Sequence, residues 1–151
     1  EYSGNKKEAG TWDVTIGDWS MPWNLQLKKE NRKSINYKSL AWAEQPQTIG
    51  EVGSTFTIQG FDLNYVGVII GPSVIFRDGK IQFVPENSKN EKAVRNRTLS
   101  DGRKEKFGER LLKNELNVLL TRGVKGLYIY AVDPVLQEEL MRRQGEKNNG
   151  K

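Results

Sequence analysis

Apolar and polar positions change rhythm several times along this chain, and each change predicts an element. Residues 12–18 (WDVTIGD) alternate, as a half-buried strand does. Residues 19–25 (WSMPWNL) read as an aromatic turn around Pro22, and 28–33 as a charged connection. The stretch up to Gln47 has room for a short helix anchored by Trp42. Residues 51–58 can begin as a strand and then turn, with a loop over 60–64. Residues 65–70 (YVGVII) form a continuous apolar run of strand length, the pattern of a strand covered on both faces in a parallel sheet. Residues 74–76 and 80–83 flank Asp78-Gly79, which predicts a tight hairpin inserted at the rim. Between 86 and 106 almost nothing is apolar, and an exposed, mobile loop is expected.

Phe107, Leu111, Leu112, Leu116, Leu119 and Leu120 then recur at helical spacing and predict a helix over 104–121, broken by Gly123 and Gly126. A second apolar strand follows at 127–132 (LYIYAV). Asp133-Pro134 is a helix start, with Asp as cap and Pro in the first turn, and the helix is expected over 134–143. Two apolar strands separated by a long amphipathic helix imply βαβ units and a mainly parallel sheet with helices on its faces. The organisation expected is a flexible edge at 1–11, one α/β domain over 12–143 with its mobile loop at 86–106, and a disordered polar tail at 144–151.

Composition narrows the chemistry. The 151 residues contain no histidine and no cysteine. Histidine bases, Ser-His and Cys-His pairs, disulfides and thiolate or imidazole metal sites are all excluded, and no metal site is expected. The first residue is Glu1, no apolar signal segment follows it, and no apolar run approaches a membrane span. The expectation is a cytoplasmic, non-membrane piece of something longer. A net charge of +5 and a pI near 9.4 favour polyanion partners, or serve solubility alone.

Two segments carry a specific signal. One is Thr57-Ile58-Gln59-Gly60-Phe61-Asp62, followed by Leu63-Asn64 and the apolar run. The other is Leu119-Leu120-Thr121-Arg122-Gly123-Val124-Lys125-Gly126, followed by the second apolar strand. In that order they resemble the last two motifs of superfamily 1 helicases. More narrowly they resemble the Schlafen-group-3-like DNA/RNA helicase domain, a P-loop family known from bacteria. Gly17-Asp18-Trp19 with Pro22-Trp23-Asn24 is similar to a stretch that precedes those motifs in the family. Three separated segments thus agree in order, over most of residues 12–140.

The resemblance implies the second, C-terminal RecA-like half of an ATP-driven motor, a three-layer α/β fold with a mainly parallel sheet plus a small β-hairpin insertion. ATP with Mg2+ would sit in the full-length protein between this half and an N-terminal RecA-like domain. The present chain has no G-x-x-x-x-G-K-[ST], so it should hold no nucleotide tightly and hydrolyse none by itself. Gln59, Gly60 and Asp62 would face the nucleotide. Arg122 would be the catalytic arginine finger, a role suited to a permanently charged, forked guanidinium. Thr57, Trp23 and Lys125 are the candidate contacts to DNA or RNA. Trp19 and Trp23 are either stacking platforms or a packed turn. Lys89, Lys92, Arg95, Arg97, Arg103 and Lys104 either grip phosphates or form a solvated loop. Arg122 without the motif would be an ordinary arginine near a helix C-terminus. The family usually has Glu where Asp62 stands and often His where Phe56 stands. Those departures fit an alternative, a non-catalytic nucleic-acid-binding or interaction module that keeps the motor fold.

Overall fold

The computed structural model describes residues 13–24, 40–90, 97–98 and 100–149. The chain forms two compact units, Glu1–Tyr65 with Thr121–Gly126, and Val66–Leu120 with Leu127–Lys151.

In the first unit, β1 (Asp13–Ile16) and β2 (Trp19–Pro22) form an antiparallel hairpin, with Val14 opposite Met21 and Ile16 opposite Trp19. Gly17, at φ +54°, supplies the left-handed residue of the two-residue loop. The expected aromatic turn is therefore a strand from Trp19 to Pro22, because the chain reverses one step earlier, at Gly17-Asp18. Ser20 donates to the buried Asp13 carboxylate at 3.0 Å and closes the hairpin. Beyond it, Trp23 bridges Val52 in parallel sense, and backbone bonds join Asn24 N to Val52 O and Val52 N to Pro22 O, both 2.8 Å.

The described part of the expected short helix is two 3-10 turns, Trp42–Glu44 and Pro46–Gly50. Pro46 has no N–H to continue the first turn. Thr48 donates its hydroxyl back to the carbonyls of Trp42 and Gln45, at 2.8 and 2.7 Å, which competes with α-helical pairing. Trp42 does anchor the stretch, its ring so close to Gly53 that a Cβ there would come within 2.9 Å of it. The strand-then-turn expected over 51–58 is a single bridged residue, Val52, followed by a short helix α1 (Thr55–Ile58).

β3 (Leu63–Ile70) and β8 (Gly123–Ala131) are neighbours. Bonds from Leu63 N to Arg122 O at one end and from Val132 N to Ile70 O at the other show them to be parallel. The two apolar strands are thus parallel, as the βαβ pattern predicts, and lie side by side. They form a two-stranded pair, however, and the described residues do not build the larger RecA-like sheet.

In the second unit, Val68, Ile70, Val74, Ala131 and Leu136 form the buried core. Leu116, Leu119 and Leu120 of α2 (Gly108–Leu120), with Phe76, Phe83, Ile129 and Leu140, pack around it. The other side of β8 is open: Tyr128 is 68% and Tyr130 44% exposed. Only one of the two faces expected to be covered is covered within this unit.

The inserted hairpin is as its turn predicts: β4 (Val74–Arg77) and β5 (Lys80–Phe83) pair antiparallel, and Asp78 and Gly79 both adopt positive φ. Within the expected loop, the described residues include a 3-10 turn at Pro85–Asn87 and a small hairpin of β6 (Arg97–Thr98) with β7 (Lys104–Glu105). That hairpin delays the start of α2 to Gly108. Gly123 opens β8 directly, so Gly123 and Gly126 are strand residues rather than a separate loop. Asp133 caps α3 (Pro134–Asn149), accepting from Leu136 N at 2.9 Å. This helix continues past Arg143 to Asn149, its second half carrying Arg142 and Arg143 paired with Glu139.

Candidate functional site

The motif residues come together in the first unit at the join between α1 and β3. Ser54 caps α1. Thr57 donates its hydroxyl to Ser54 O at 2.9 Å, and Ser54 N donates back to that hydroxyl at 2.8 Å. The single O–H of Thr57 is therefore spent on the cap. The S-x-x-T spacing was the sequence signal for this, an N-cap box with Thr in place of the usual acid. Phe61 N closes a turn onto Ile58 O at 3.1 Å, and Gly60 supports it at φ +83°. A Cβ on Gly60 would meet nothing within 4 Å, so glycine serves the backbone angle here rather than a close approach. Gln59 and Gly60 are exposed on this turn.

Arg122 stands across from that turn. Its backbone carbonyl accepts from Leu63 N at 2.8 Å, which pins the two motifs edge to edge. Its Nη1 donates to Phe61 O at 3.2 Å and lies 3.5 Å from Asp62 Oδ1. Its Nη2 donates to Thr121 Oγ1 at 3.1 Å. The Arg122 side chain is 21% exposed and the Asp62 side chain 74%. A forked guanidinium beside an exposed turn is chemically able to pair with an anionic group. The Phe61 carbonyl and Thr121 hydroxyl are partners that residue types alone did not suggest, because both depend on how the turn is oriented.

The other candidates are placed differently. Trp23 is half-buried beside Val52, and Lys125 is exposed on β8. Trp19 is 41% exposed on β2. Of the basic cluster, Arg103 is paired with Asp101 at 2.7 Å and Lys104 is exposed on β7, while Lys92 and Arg95 lie outside the described residues.

Asp133, in the second unit, is fully committed to the fold. One oxygen accepts from Arg77 Nη2 at 2.8 Å; the other accepts from Arg77 Nη1, Phe76 N and Leu136 N at 2.9, 3.2 and 2.9 Å. The Arg77 guanidinium and the two backbone N–H groups hold its carboxyl at about 2. Its cap role was legible from Asp-Pro; the Arg77 pairing, 56 residues away in sequence, was not. Among the described residues no cluster of acidic side chains is arranged to hold a metal ion, and no helix is long and apolar enough to cross a membrane.

Comparison with known proteins follows the same segments. The family model described as Schlafen group 3, DNA/RNA helicase domain matches residues 1–133. The uncharacterized protein YPL245W of Saccharomyces cerevisiae is 46% identical over 103 residues, which are 67% of this chain and 22% of that relative. The chain thus corresponds to about a fifth of that relative's length. No solved structure matches the chain.

Proposed function

The chain belongs to the Schlafen group 3 DNA/RNA helicase domain family, and from that premise we propose that it is the C-terminal half of an ATP-dependent DNA or RNA helicase or translocase. Its part in the motor is to supply an arginine finger and contacts to the strand. An N-terminal RecA-like domain would supply the P-loop that this sequence lacks. The observation that carries the reading is the position of Arg122, held half-buried against the Phe61-Asp62 turn by backbone and side-chain contacts.

The residues present fit one edge of a nucleotide site. ATP with Mg2+ supplies the phosphoanhydride bond whose cleavage drives such a motor. Arg122 would hold the terminal phosphate and stabilise the charge that develops on its oxygens, an effect worth about 10³–10⁵ in rate in other phosphate hydrolases. Gln59 and Gly60, exposed on the adjoining turn, would border the same edge. Lys125 and Trp23 would serve the strand, one through charge and the other through its ring.

The test is steady-state ATP turnover by the intact protein. Arg122→Ala should reduce turnover at least about tenfold while leaving the circular dichroism spectrum unchanged, since it removes a contact strongest in the transition state. Arg122→Lys should keep most of that loss, because a point charge does not reproduce the planar fork. Arg110, exposed on α2, is the control. Equal, small effects of Arg122→Ala and Arg110→Ala would reduce Arg122 to a surface helix-end residue and remove the chemical basis of the motor reading.

A further inference from the structure

We propose that the β6–β7 hairpin is a contact for the phosphate backbone of a single nucleic-acid strand, made through Lys104 and Lys106; the inference rests on the motor reading above and gives its strand a further point of attachment. The sequence concentrates charge at this place. Residues 89–106 hold seven Lys and Arg against three Asp and Glu, so the segment carries +4 of the chain's net +5. Crowded like charges repel one another, and a polyanion relieves that repulsion.

The hairpin decides where the charge is presented. Gly102, at φ +84°, and Asp101, whose Oδ1 accepts from Arg103 N at 3.1 Å, close its turn. Thr98 stands opposite Lys104, and Arg97 opposite Glu105. Successive strand positions lie on opposite faces, so Lys104 shares its face with Thr98 while Glu105 is on the other. The remaining acids nearby are occupied: Asp101 is taken by Arg103 at 2.7 Å, and Glu109 opens α2. Lys104 and Lys106 are exposed, and among the described residues neither is in an ion pair. None of the hairpin's described residues belongs to the core, so packing does not account for its composition. The exposed part of α3 is the contrast. There Arg142 and Arg143 are paired with Glu139, and Arg142 also with Glu146. Two uncompensated ammonium groups on one ribbon would meet phosphates as point charges and read no base.

Anisotropy of labelled single strands, DNA and RNA of one mixed sequence, tests the assignment on the intact protein without nucleotide. The Lys104→Ala, Lys106→Ala double variant should bind several-fold more weakly at about 50 mM salt. Its slope of log affinity against log salt, up to about 200 mM, should be shallower by about 1.4, two phosphate contacts at about 0.7 each. Lys104→Arg with Lys106→Arg, which retains the charge, should restore the slope. Lys80→Ala with Lys147→Ala removes the same charge from exposed positions elsewhere and should leave the slope unchanged. Circular dichroism should be unchanged throughout. A wild-type slope in the Lys104, Lys106 alanine variant overturns the assignment. Equal losses from the two alanine pairs also overturn it, because net charge alone would then be responsible. So does a loss confined to DNA or to RNA, since the phosphates are common to both. Those outcomes leave the motor reading standing. If the unaltered protein binds neither strand, the motor reading fails and takes the hairpin contact with it.

Discussion

Asp133 and Arg122 show how differently two charged residues next to motif strands are used. Asp133 is buried and spends both oxygens on Arg77, Phe76 N and Leu136 N, joining the β4 edge to the start of α3. Asp133→Asn should destabilise the chain by about 1–3 kcal/mol, through loss of the charged pair and weakening of the cap. The effect has a defined pH dependence. The folded carboxyl titrates at about 2, below its ordinary 3.8, so in that interval the unfolded chain binds a proton that the folded chain refuses. The stabilisation is fully present above the ordinary value and is lost as pH falls toward 2. Urea midpoints for wild type and Asp133→Asn should therefore differ by a constant amount at neutral pH and converge between pH 4 and 2. A gap unchanged at pH 2 would show that the carboxylate charge contributes nothing.

At the scale of elements, β8 is the informative strand. Its apolar run LYIYAV suggests burial on both faces, yet Ile129 and Ala131 turn toward the core while Tyr128 and Tyr130 are exposed. From Tyr128 to Ala131 the alternation of a one-sided strand is present, while Leu127 at its start is also exposed; tyrosine, apolar in body and polar at its tip, hides the pattern in a hydropathy reading. Ile129→Ala should cost about 2 kcal/mol of stability in this chain. Tyr128→Ala should cost less than about 1 kcal/mol. Chemical denaturation of the two variants decides the matter, and equal losses would mean that the tyrosine face is packed after all. The hairpin at Asp78-Gly79 is the opposite case: its register follows from a dipeptide able to take two successive positive-φ positions, whatever the neighbouring elements do.

At the scale of the whole molecule, charge is the property that reaches a partner first. A net +5 predicts that single-stranded nucleic acid binds this chain weakly and through phosphates. Affinity should fall several-fold when salt is raised from about 50 to 200 mM, as measured by anisotropy of a labelled strand; a salt-independent affinity would rule out the electrostatic mode. Local chemistry that the chain writes within a few residues was readable without coordinates: the positive-φ turn at 78–79, the Asp-Pro cap, the leucine spacing of α2, the two apolar strands, and the motif order that identifies the family. These depend on backbone preference and periodicity, which act over one or two turns of chain. Other features had to wait for the folded chain. The 3-10 turns at 42–50 arise where Thr48 competes for backbone carbonyls, and the hairpin at 97–105 overrides the start of a helix. The open side of β8, the Arg77–Asp133 pair and the setting of Arg122 against Phe61 and Asp62 all bring together residues distant in sequence. Such contacts follow from how elements pack and which surfaces they leave to water, and no local pattern of residues encodes that.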